Sequence, residues 1–331
     1  MLGTTPRELP QRFAFVVIPD FTMIGFTAAV DTLRLANLFS GRELYHWHLV
    51  SLDGQPVVAS NGIPVLVESG LEQTSDVSAV VVCGGINTHR FHDKPMFAWL
   101  RRMARRGADI GALCTGCHVL AEAGLLDGYR CTIHWENLPA FTERFPDVEV
   151  TSRLFEIDRN RFTCAGGTAT IDMMLGLIAI QHGHELAGEI AESIIHERIR
   201  EHDENQRTSL PARLGVRHPK LLAIIDLMEK NLEEPLERHE LAAIAGLSTR
   251  QLERLFRKYL DRSPARYYLE LRLHKARLLL LQTNLSVMNV ALACGFVSPS
   301  HFTKCYRAFF GHTPYRERGV PNAKLKALAG E

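Results

Sequence analysis

The chain has 331 residues, of which 46% are hydrophobic and 23% are charged, as in ordinary soluble globular proteins. No apolar run approaches the roughly 20 residues that span a bilayer, which excludes transmembrane helices from the prediction. The length predicts two domains. The seven cysteines, an odd number in a chain without a recognisable signal peptide, favour reduced thiols and a cytoplasmic location.

The net charge of +1 conceals an unequal distribution. From Gly215 onward there are 19 Lys and Arg against 11 Asp and Glu, whereas residues 1–214 hold 19 against 26. A basic C-terminal part on an acidic body predicts that only the C-terminal part faces a polyanion. The alternative is that these charges are simply solvated helix faces.

The first two-thirds of the chain alternates short apolar strands with helices. Continuous apolar strands separated by helices are typical of a parallel sheet with helices on both faces, so the predicted N-terminal fold class is α/β. In chain order, the pattern predicts strands at 12–19, 45–52, 77–85 and 108–114, and helices at 28–38, 96–107 and 185–200.

A strand-to-helix turn is predicted at Cys114, directly after the strand at 108–114. A residue on such a turn projects above the sheet at a helix N-terminus, where the helix dipole and free amides lower a thiol's pKa and would receive an oxyanion. Gly84 and Gly85 end the preceding strand and allow close backbone approach to this turn. The turn is therefore a candidate ligand or catalytic site.

Three motifs give this region a resemblance to the type-1 glutamine amidotransferase-like fold, in its PfpI/ThiJ-like branch. They are CTGCHVLAEAGLLDG from Cys114, TIHWEN at 132–137 and TCAGGTATIDMMLGL at 163–177, and the resemblance covers about residues 12–185. His134 matches the histidine that partners the cysteine in catalytic relatives. The acidic residue that such relatives often supply from the first helix is missing, because Gly25 falls at that place. A Cys–His pair without its third member predicts a binding pocket rather than an enzyme, and a purely structural domain is the remaining alternative.

The predicted ligand pocket combines a thiol, an imidazole, an indole, a carboxylate and several small residues. The indole face and the carboxylate suit an alkylammonium or amino acid ligand, and the HWEN and CAGGTA segments resemble those of regulators of carnitine, betaine, sarcosine and arginine catabolism. The alternative for Trp135 is a place in the core. The predicted lining residues are Cys114, His134, Trp135, Glu136, Gly84, Gly85, Gly167 and Thr168.

Cys114 and Cys117 also fit a C-x-x-C redox pair and, with His118, the C-x-x-C-H pattern of haem attachment. Haem attachment requires an exported protein, and Cys117 is expected to face the helix packing surface. No Cys/His set has the spacing of a closed zinc site. We therefore expect no cofactor and no metal.

A polar stretch with two prolines follows at 201–218 and lacks apolar periodicity, which is typical of a linker. The predicted domains are thus 12–200 for the sensor, 201–218 for the linker, 219–318 for an all-α domain, and 319–331 for a tail.

The all-α domain carries one pattern twice, 50 positions apart: GLSTRQLERLFRKYLDRSP and GFVSPSHFTKCYRAFFGHTP. Each copy has a glycine that ends one helix and a serine, Ser248 or Ser298, that can cap the next. This is a helix-turn-helix written twice, joined by a long helix at about 265–282 that can hold the two units about one DNA turn apart. The segment 220–318 resembles the DNA-binding domain of AraC/XylS-type regulators.

The outward faces of the two predicted recognition helices carry polar and basic side chains. By position in the AraC/XylS-type domain, three residues in each helix are expected to read bases, and the final arginine of each is expected to hold phosphate. The predicted DNA-binding residues are Arg250, Glu253, Arg254 and Arg257 in the first unit, and Ser300, Thr303, Lys304 and Arg307 in the second.

Together these features predict a ligand-responsive transcription regulator, an activator of a catabolic operon for a small amine or amino acid such as carnitine, betaine or arginine. Its expected partners are double-stranded promoter DNA, a small-molecule inducer, RNA polymerase and a second copy of the chain. The competing hypothesis is an enzyme, a cysteine-dependent hydrolase or amidase fused to a DNA-binding domain.

Overall fold

The computed structural model describes residues 8–319, which divide after Gln206 into two compact units. The point of division falls within the predicted linker, 201–218. The predicted tail lies outside the described residues beyond Gly319. Among residues 8–319, no helix is both long and apolar enough to cross a membrane.

The first unit is the predicted α/β domain. Its strands are β1 (Gln11–Val17), β2 (Tyr45–Ser51), β3 (Val57–Val58), β4 (Pro64–Val65), β5 (Ser69–Gly70), β6 (Ala79–Cys83), β7 (Asp109–Leu113), β8 (Arg130–Thr132), β9 (Glu149–Thr151), β10 (Phe155–Asp158) and β11 (Arg161–Cys164). Its helices are α1 (Met23–Ser40), α2 (Lys94–Arg105), α3 (Cys117–Glu122), α4 (Leu138–Arg144), α5 (Ala169–His182) and α6 (His184–Ser193).

Seven of these strands form one sheet, in the order β10-β11-β7-β6-β1-β2-β5. Every neighbouring pair is parallel except β10 and β11, which form an antiparallel hairpin at one edge. Alternate residues of β1 enter two separate cores: Phe13 and Phe15 pack with α1, α5 and α6, whereas Ala14 and Val16 pack with α2 and α3. The predicted parallel sheet with helices on both faces is confirmed.

The helix predicted at 185–200 is shorter in the structure, where α6 ends at Ser193. Ile195 has φ 58°, a left-handed conformation that ends the helix. The following residues form an irregular segment on the α/β unit, in which Arg200 N–H donates to Asp172 Oδ1 at 2.7 Å. This hydrogen bond and the ion pair between Arg200 Nη2 and Asp172 Oδ2 at 2.6 Å, both to a distant residue, stand where the last turns of the helix were predicted.

The second unit consists of helices, as predicted. They are α7 (Leu210–Leu214), α8 (Pro219–Lys230), α9 (Arg238–Ile244), α10 (Thr249–Leu260), α11 (Pro264–Gln282), α12 (Val287–Ala293), α13 (Pro299–Phe310) and α14 (Pro314–Gly319). The pairs α9–α10 and α12–α13 are the two helix-turn-helix units, and α11 joins them.

Candidate nucleic-acid interface and ligand site

The first helix-turn-helix turn is built by Gly246 and Ser248. Gly246 has φ 61°, a conformation that favours glycine and ends α9. Ser248 then starts α10 through a capping box: its hydroxyl accepts the Gln251 N–H at 3.2 Å, and the Gln251 side chain accepts the Ser248 N–H at 2.7 Å. Leu252 and Phe256 are fully buried, which fixes the face that α10 presents to solvent.

The second turn repeats this design with tighter packing. Gly295 has φ 73°, and a Cβ there would lie 2.7 Å from Pro235. Ser298 caps α13, accepting the His301 N–H at 3.3 Å. Arg272 of α11 donates to the carbonyls of Cys294 and Gly295 at 2.7 and 2.6 Å, and its guanidinium lies 4.1 Å from the centre of the Phe296 ring. The connecting helix therefore fixes the second recognition helix directly.

The predicted DNA-contacting side chains lie on the outward faces of α10 and α13. Two of the eight, Glu253 and Thr303, are half-buried. The other six are exposed: Arg250, Arg254, Arg257, Ser300, Lys304 and Arg307. Glu253 is engaged within the unit, because its carboxylate lies 3.3 Å from Arg238 Nη1. In the second helix-turn-helix unit, the four predicted DNA-binding residues lie in one groove. The groove is lined by Pro299, Ser300, Thr303, Lys304, Arg307, Ala308 and Thr313.

In the α/β unit, Cys114 occupies the predicted strand-to-helix turn, with the φ of 58° that such a turn requires. Its N–H donates to the Cys164 carbonyl at 2.9 Å, and its carbonyl accepts the His134 N–H at 3.3 Å. The Thr22 hydroxyl donates to Cys114 Sγ at 3.6 Å. Three hydrogen bonds with residues of distant segments, two from backbone groups and one from a hydroxyl, thus hold the turn in place.

Glycines create the close approach around Cys114. A Cβ on Gly84 would lie 2.3 Å from Gly116 N, one on Gly85 would lie 2.1 Å from Asp20 O, and one on Gly166 would lie 2.7 Å from Cys114 Cβ. The close approach to the Cys114 turn is therefore present at Gly84, whereas Gly85 closely approaches Asp20 and Phe21 instead. Gly25 of α1 faces the same region, since a Cβ there would be 3.7 Å from Gly167 N.

The electrostatics of Cys114 differ from the expectation of a lowered thiol pKa. Burial raises the pKa of the Cys114 thiol, and this effect exceeds the opposing hydrogen bonds from Thr22 and Thr115. Burial also lowers the pKa of His134. Within the described residues, the Cys114 thiol and the His134 ring form no hydrogen bond with each other. Both groups are neutral near pH 7, the opposite of the thiolate–imidazolium pair that a cysteine nucleophile needs.

The other predicted ligand residues belong to two segments that contact Cys114, one through the His134 N–H and one through Gly166. In the first segment, His134 Nδ1 accepts the Glu136 N–H at 3.4 Å and lies 3.8 Å from the Glu136 carboxylate, which is half exposed. The Trp135 ring is half-buried, with its centre 5.8 Å from that of His134. In the second segment, Gly167 and the exposed Thr168 follow Gly166.

Two residues of this site were missed by the sequence analysis. Thr22 contacts the Cys114 sulfur from the start of α1, and Arg200 Nη2 donates to the Thr168 hydroxyl at 3.0 Å. Thr22 directly precedes α1 and could have been noticed as an N-cap type; Arg200 had no local signal. Within residues 8–319, no group of three His, Cys, Asp or Glu side chains is placed to hold a metal ion.

Comparisons with known proteins agree with both halves of this description. A DJ-1/PfpI family model matches residues 11–180, and a helix-turn-helix domain model matches residues 241–319. The chain is 52% identical over 317 residues to the HTH-type transcriptional regulator GbdR of Pseudomonas aeruginosa, an alignment that covers 96% of this chain and 86% of that relative. It is 47% identical over 319 residues to the HTH-type transcriptional regulator CdhR of the same species, covering 96% and 95%. A crystal structure of an AraC family transcriptional regulator from Pseudomonas putida matches with a TM-score of 0.52 at 32% identity, over 56% of this chain and 100% of that one.

Proposed function

Because the chain belongs to the AraC-type helix-turn-helix transcription regulators with an N-terminal DJ-1/PfpI domain, it binds DNA and regulates transcription, and we propose that a small amine or amino acid bound beside Cys114 controls this activity. It acts as a regulator rather than as an enzyme. In this proposal the ligand is of the carnitine, betaine or arginine type, and the regulator is a cytoplasmic homodimer that activates a catabolic operon by recruiting RNA polymerase.

The observation that carries the proposal is the neutral, enclosed Cys114 between two sets of polar groups. A reactive thiolate would be the sign of turnover, but burial raises the pKa of this thiol. A small polar ligand instead finds the Trp135 ring and the Glu136 carboxylate on one side and Thr168 on the other. An aromatic face with a nearby carboxylate suits a cationic group. This chemistry favours an amine-containing ligand over a neutral one.

In the output domain, we propose that Arg250, Arg254, Ser300, Thr303 and Lys304 read base edges, while Arg257 and Arg307 hold phosphates. All of them except the half-buried Thr303 are exposed on α10 and α13, which supports this assignment. Glu253, which sequence reasoning also assigned to base reading, has a weaker case because it pairs with Arg238.

Ligand binding can change DNA binding only if the ligand has different affinities for the two states of the regulator. We propose that the ligand, by ordering residues 134–136 and 167–168 around Cys114, favours the state that binds the operator.

A thermal-shift screen of the full chain with glycine betaine, L-carnitine and L-arginine tests the ligand class. A ligand at 100 times its Kd should stabilise the sensor by ~2.7 kcal/mol, which is easily measured. The hit should then raise affinity for an operator fragment selected from random DNA. Glu136→Gln should weaken the shift, whereas Glu143→Gln, an exposed change on neighbouring α4, should leave it intact. If no compound of this class shifts the melting temperature or the operator affinity, the proposed ligand class is wrong.

A further inference from the structure

Arg200 is held at the edge of the proposed ligand site by an ion pair with a buried carboxylate. Its Nε and Nη2 atoms donate to Asp172 Oδ2 at 2.9 and 2.6 Å, and its backbone N–H donates to Asp172 Oδ1 at 2.7 Å. Asp172 is fully buried. The two guanidinium bonds orient the guanidinium before any ligand arrives, and the backbone bond anchors the residue; such preorganisation lowers the entropic cost of binding.

Asp172 has a second side-chain partner besides Arg200. His196 Nε2 lies 2.8 Å from Asp172 Oδ1, the oxygen that accepts the Arg200 backbone N–H. Both oxygens of the carboxylate are therefore held by groups of the same domain, and the carboxylate that orients Arg200 is itself fixed in place.

The Arg200 guanidinium also contacts Thr168. Arg200 Nη2 donates to the Thr168 hydroxyl at 3.0 Å, so this hydroxyl serves the guanidinium rather than capping α5. Within the described residues, Arg200 Nη1 has no hydrogen-bond partner, and the side chain is 28% exposed. Nη1 can therefore donate to one oxygen of a ligand carboxylate, and the Thr168 hydroxyl, which accepts from Nη2, keeps its own O–H to donate to the other oxygen.

We propose that Arg200 recognises a carboxylate of the ligand and that the sensor domain therefore selects zwitterions over simple amines. The carboxylate binds at Arg200 and Thr168, and the cationic group binds at Trp135 and Glu136. Both sets of residues belong to segments that contact Cys114, one through Gly166 and the other through the His134 N–H. The inference rests on the proposed function, and it narrows the ligand to one that carries both charges.

The test uses matched probes that differ in the carboxylate: glycine betaine against choline, and L-arginine against agmatine. Calorimetry on the full wild-type chain should show at least one carboxylated probe binding more tightly than its counterpart, by about tenfold or more for one charge-assisted contact. The variant Asp172→Asn/Arg200→Gln removes both charges together, so that no unpaired carboxylate is left buried. It should lose this preference and keep the affinity for choline or agmatine.

Two further variants guard against a folding artefact. Thr168→Val leaves the Arg200–Asp172 pair in place and should weaken the carboxylated probe severalfold. Arg198→Gln changes an arginine two residues away that is 64% exposed and pairs with Glu204, and it should change nothing in probe affinity. The melting temperature of each variant is measured beside its affinity.

The outcomes separate this inference from the proposed function. If choline or agmatine binds as tightly as its partner and shifts operator affinity, the sensor function stands and the role of Arg200 is wrong. The same holds if Asp172→Asn/Arg200→Gln melts like the wild type and keeps the preference. If none of the four probes binds, the proposed ligand class itself is contradicted, and the inference falls with it.

Discussion

The Thr22 hydroxyl donates a hydrogen bond to Cys114 Sγ at 3.6 Å, whereas the His134 ring, which matches the histidine of catalytic relatives, makes no hydrogen bond to this sulfur within the described residues. A hydroxyl cannot take the thiol proton near pH 7, so this contact orients the sulfur without activating it. The domain thus keeps the sharp turn of its enzyme-like relatives while its cysteine stays a neutral contact surface.

Cys114 should consequently react slowly with electrophiles. We expect its alkylation by iodoacetamide to keep rising as the pH passes 9, because burial raises the pKa of this thiol. Cys305, which is half-buried, is the internal reference and should be labelled first. Peptide mass spectrometry over a pH series gives both rates, and a Cys114 rate that levels off below pH 7 would contradict this reading.

The approach of Gly84 to Gly116 should tolerate no side chain. Gly84→Ala places a Cβ 2.3 Å from a backbone nitrogen that cannot move aside, and we expect a loss of about 3 kcal/mol in the free energy of unfolding. Gly188→Ala is the matched control: Gly188 lies within α6 with open space around it, so alanine should stabilise by ~0.5–1 kcal/mol. Urea denaturation of both variants checks the pair, and equal stability would refute the steric argument.

Local sequence signals were sufficient for the features that short segments determine. The apolar runs of β1, β6 and β7 are buried at every or nearly every position, and Ser248 and Ser298 cap their helices as expected, because capping involves only four consecutive residues. The repeat extends further in the structure: Asp261 and Gly311, 50 positions apart, both end recognition helices in the left-handed conformation.

Features that depend on distant contacts were not predictable in this way. The pairing of Arg200 with Asp172 joins residues 28 positions apart and overrides the helical periodicity at the end of α6. The thiol pKa depends on how deeply the finished fold buries Cys114, and the position of a cysteine on a turn carries no information about that burial. Glu253 was assigned to DNA from its helix face and its position in the AraC/XylS-type domain, and its partner Arg238 lies on another helix.

Arg254 and Arg257 of α10 should contribute to DNA binding in different ways. If Arg254 reads a base, Arg254→Ala should cost ~1–3 kcal/mol on the preferred operator and much less on unrelated DNA. If Arg257 holds a phosphate, Arg257→Ala should weaken binding to all sequences and lower the salt slope by about one. Lys230→Ala, on α8 and paired with Asp226, is the control. Fluorescence anisotropy over a salt series measures all three, and an unchanged operator preference in Arg254→Ala would remove that residue from the base-reading set.

His118 should make the α/β unit sensitive to acid. Its ring is buried against Phe141 and Phe145, and neither ring nitrogen has a hydrogen-bond partner within the described residues. Burial lowers the pKa of His118 to about 3, with His89 and Arg144 adding to the effect. In the folded state the His118 ring therefore stays unprotonated between about pH 6.5 and about pH 3, while in the unfolded chain the same ring takes up a proton in this range. The stability contributed by the neutral ring is full above about pH 6.5 and is lost progressively as the pH falls through that window.

His118→Phe should remove this dependence, since a phenyl ring fits the same aromatic cluster and cannot be protonated. We expect the slope of unfolding free energy against pH between 4 and 6 to fall by about 1.4 kcal/mol per pH unit, the value for one proton. His46→Gln changes an exposed histidine on β2 and should leave the slope nearly as it is in the wild type. Denaturant titrations at several pH values measure the slopes. If His118→Phe loses stability on acidification as steeply as the wild type, other groups govern the acid sensitivity and His118 does not contribute to it.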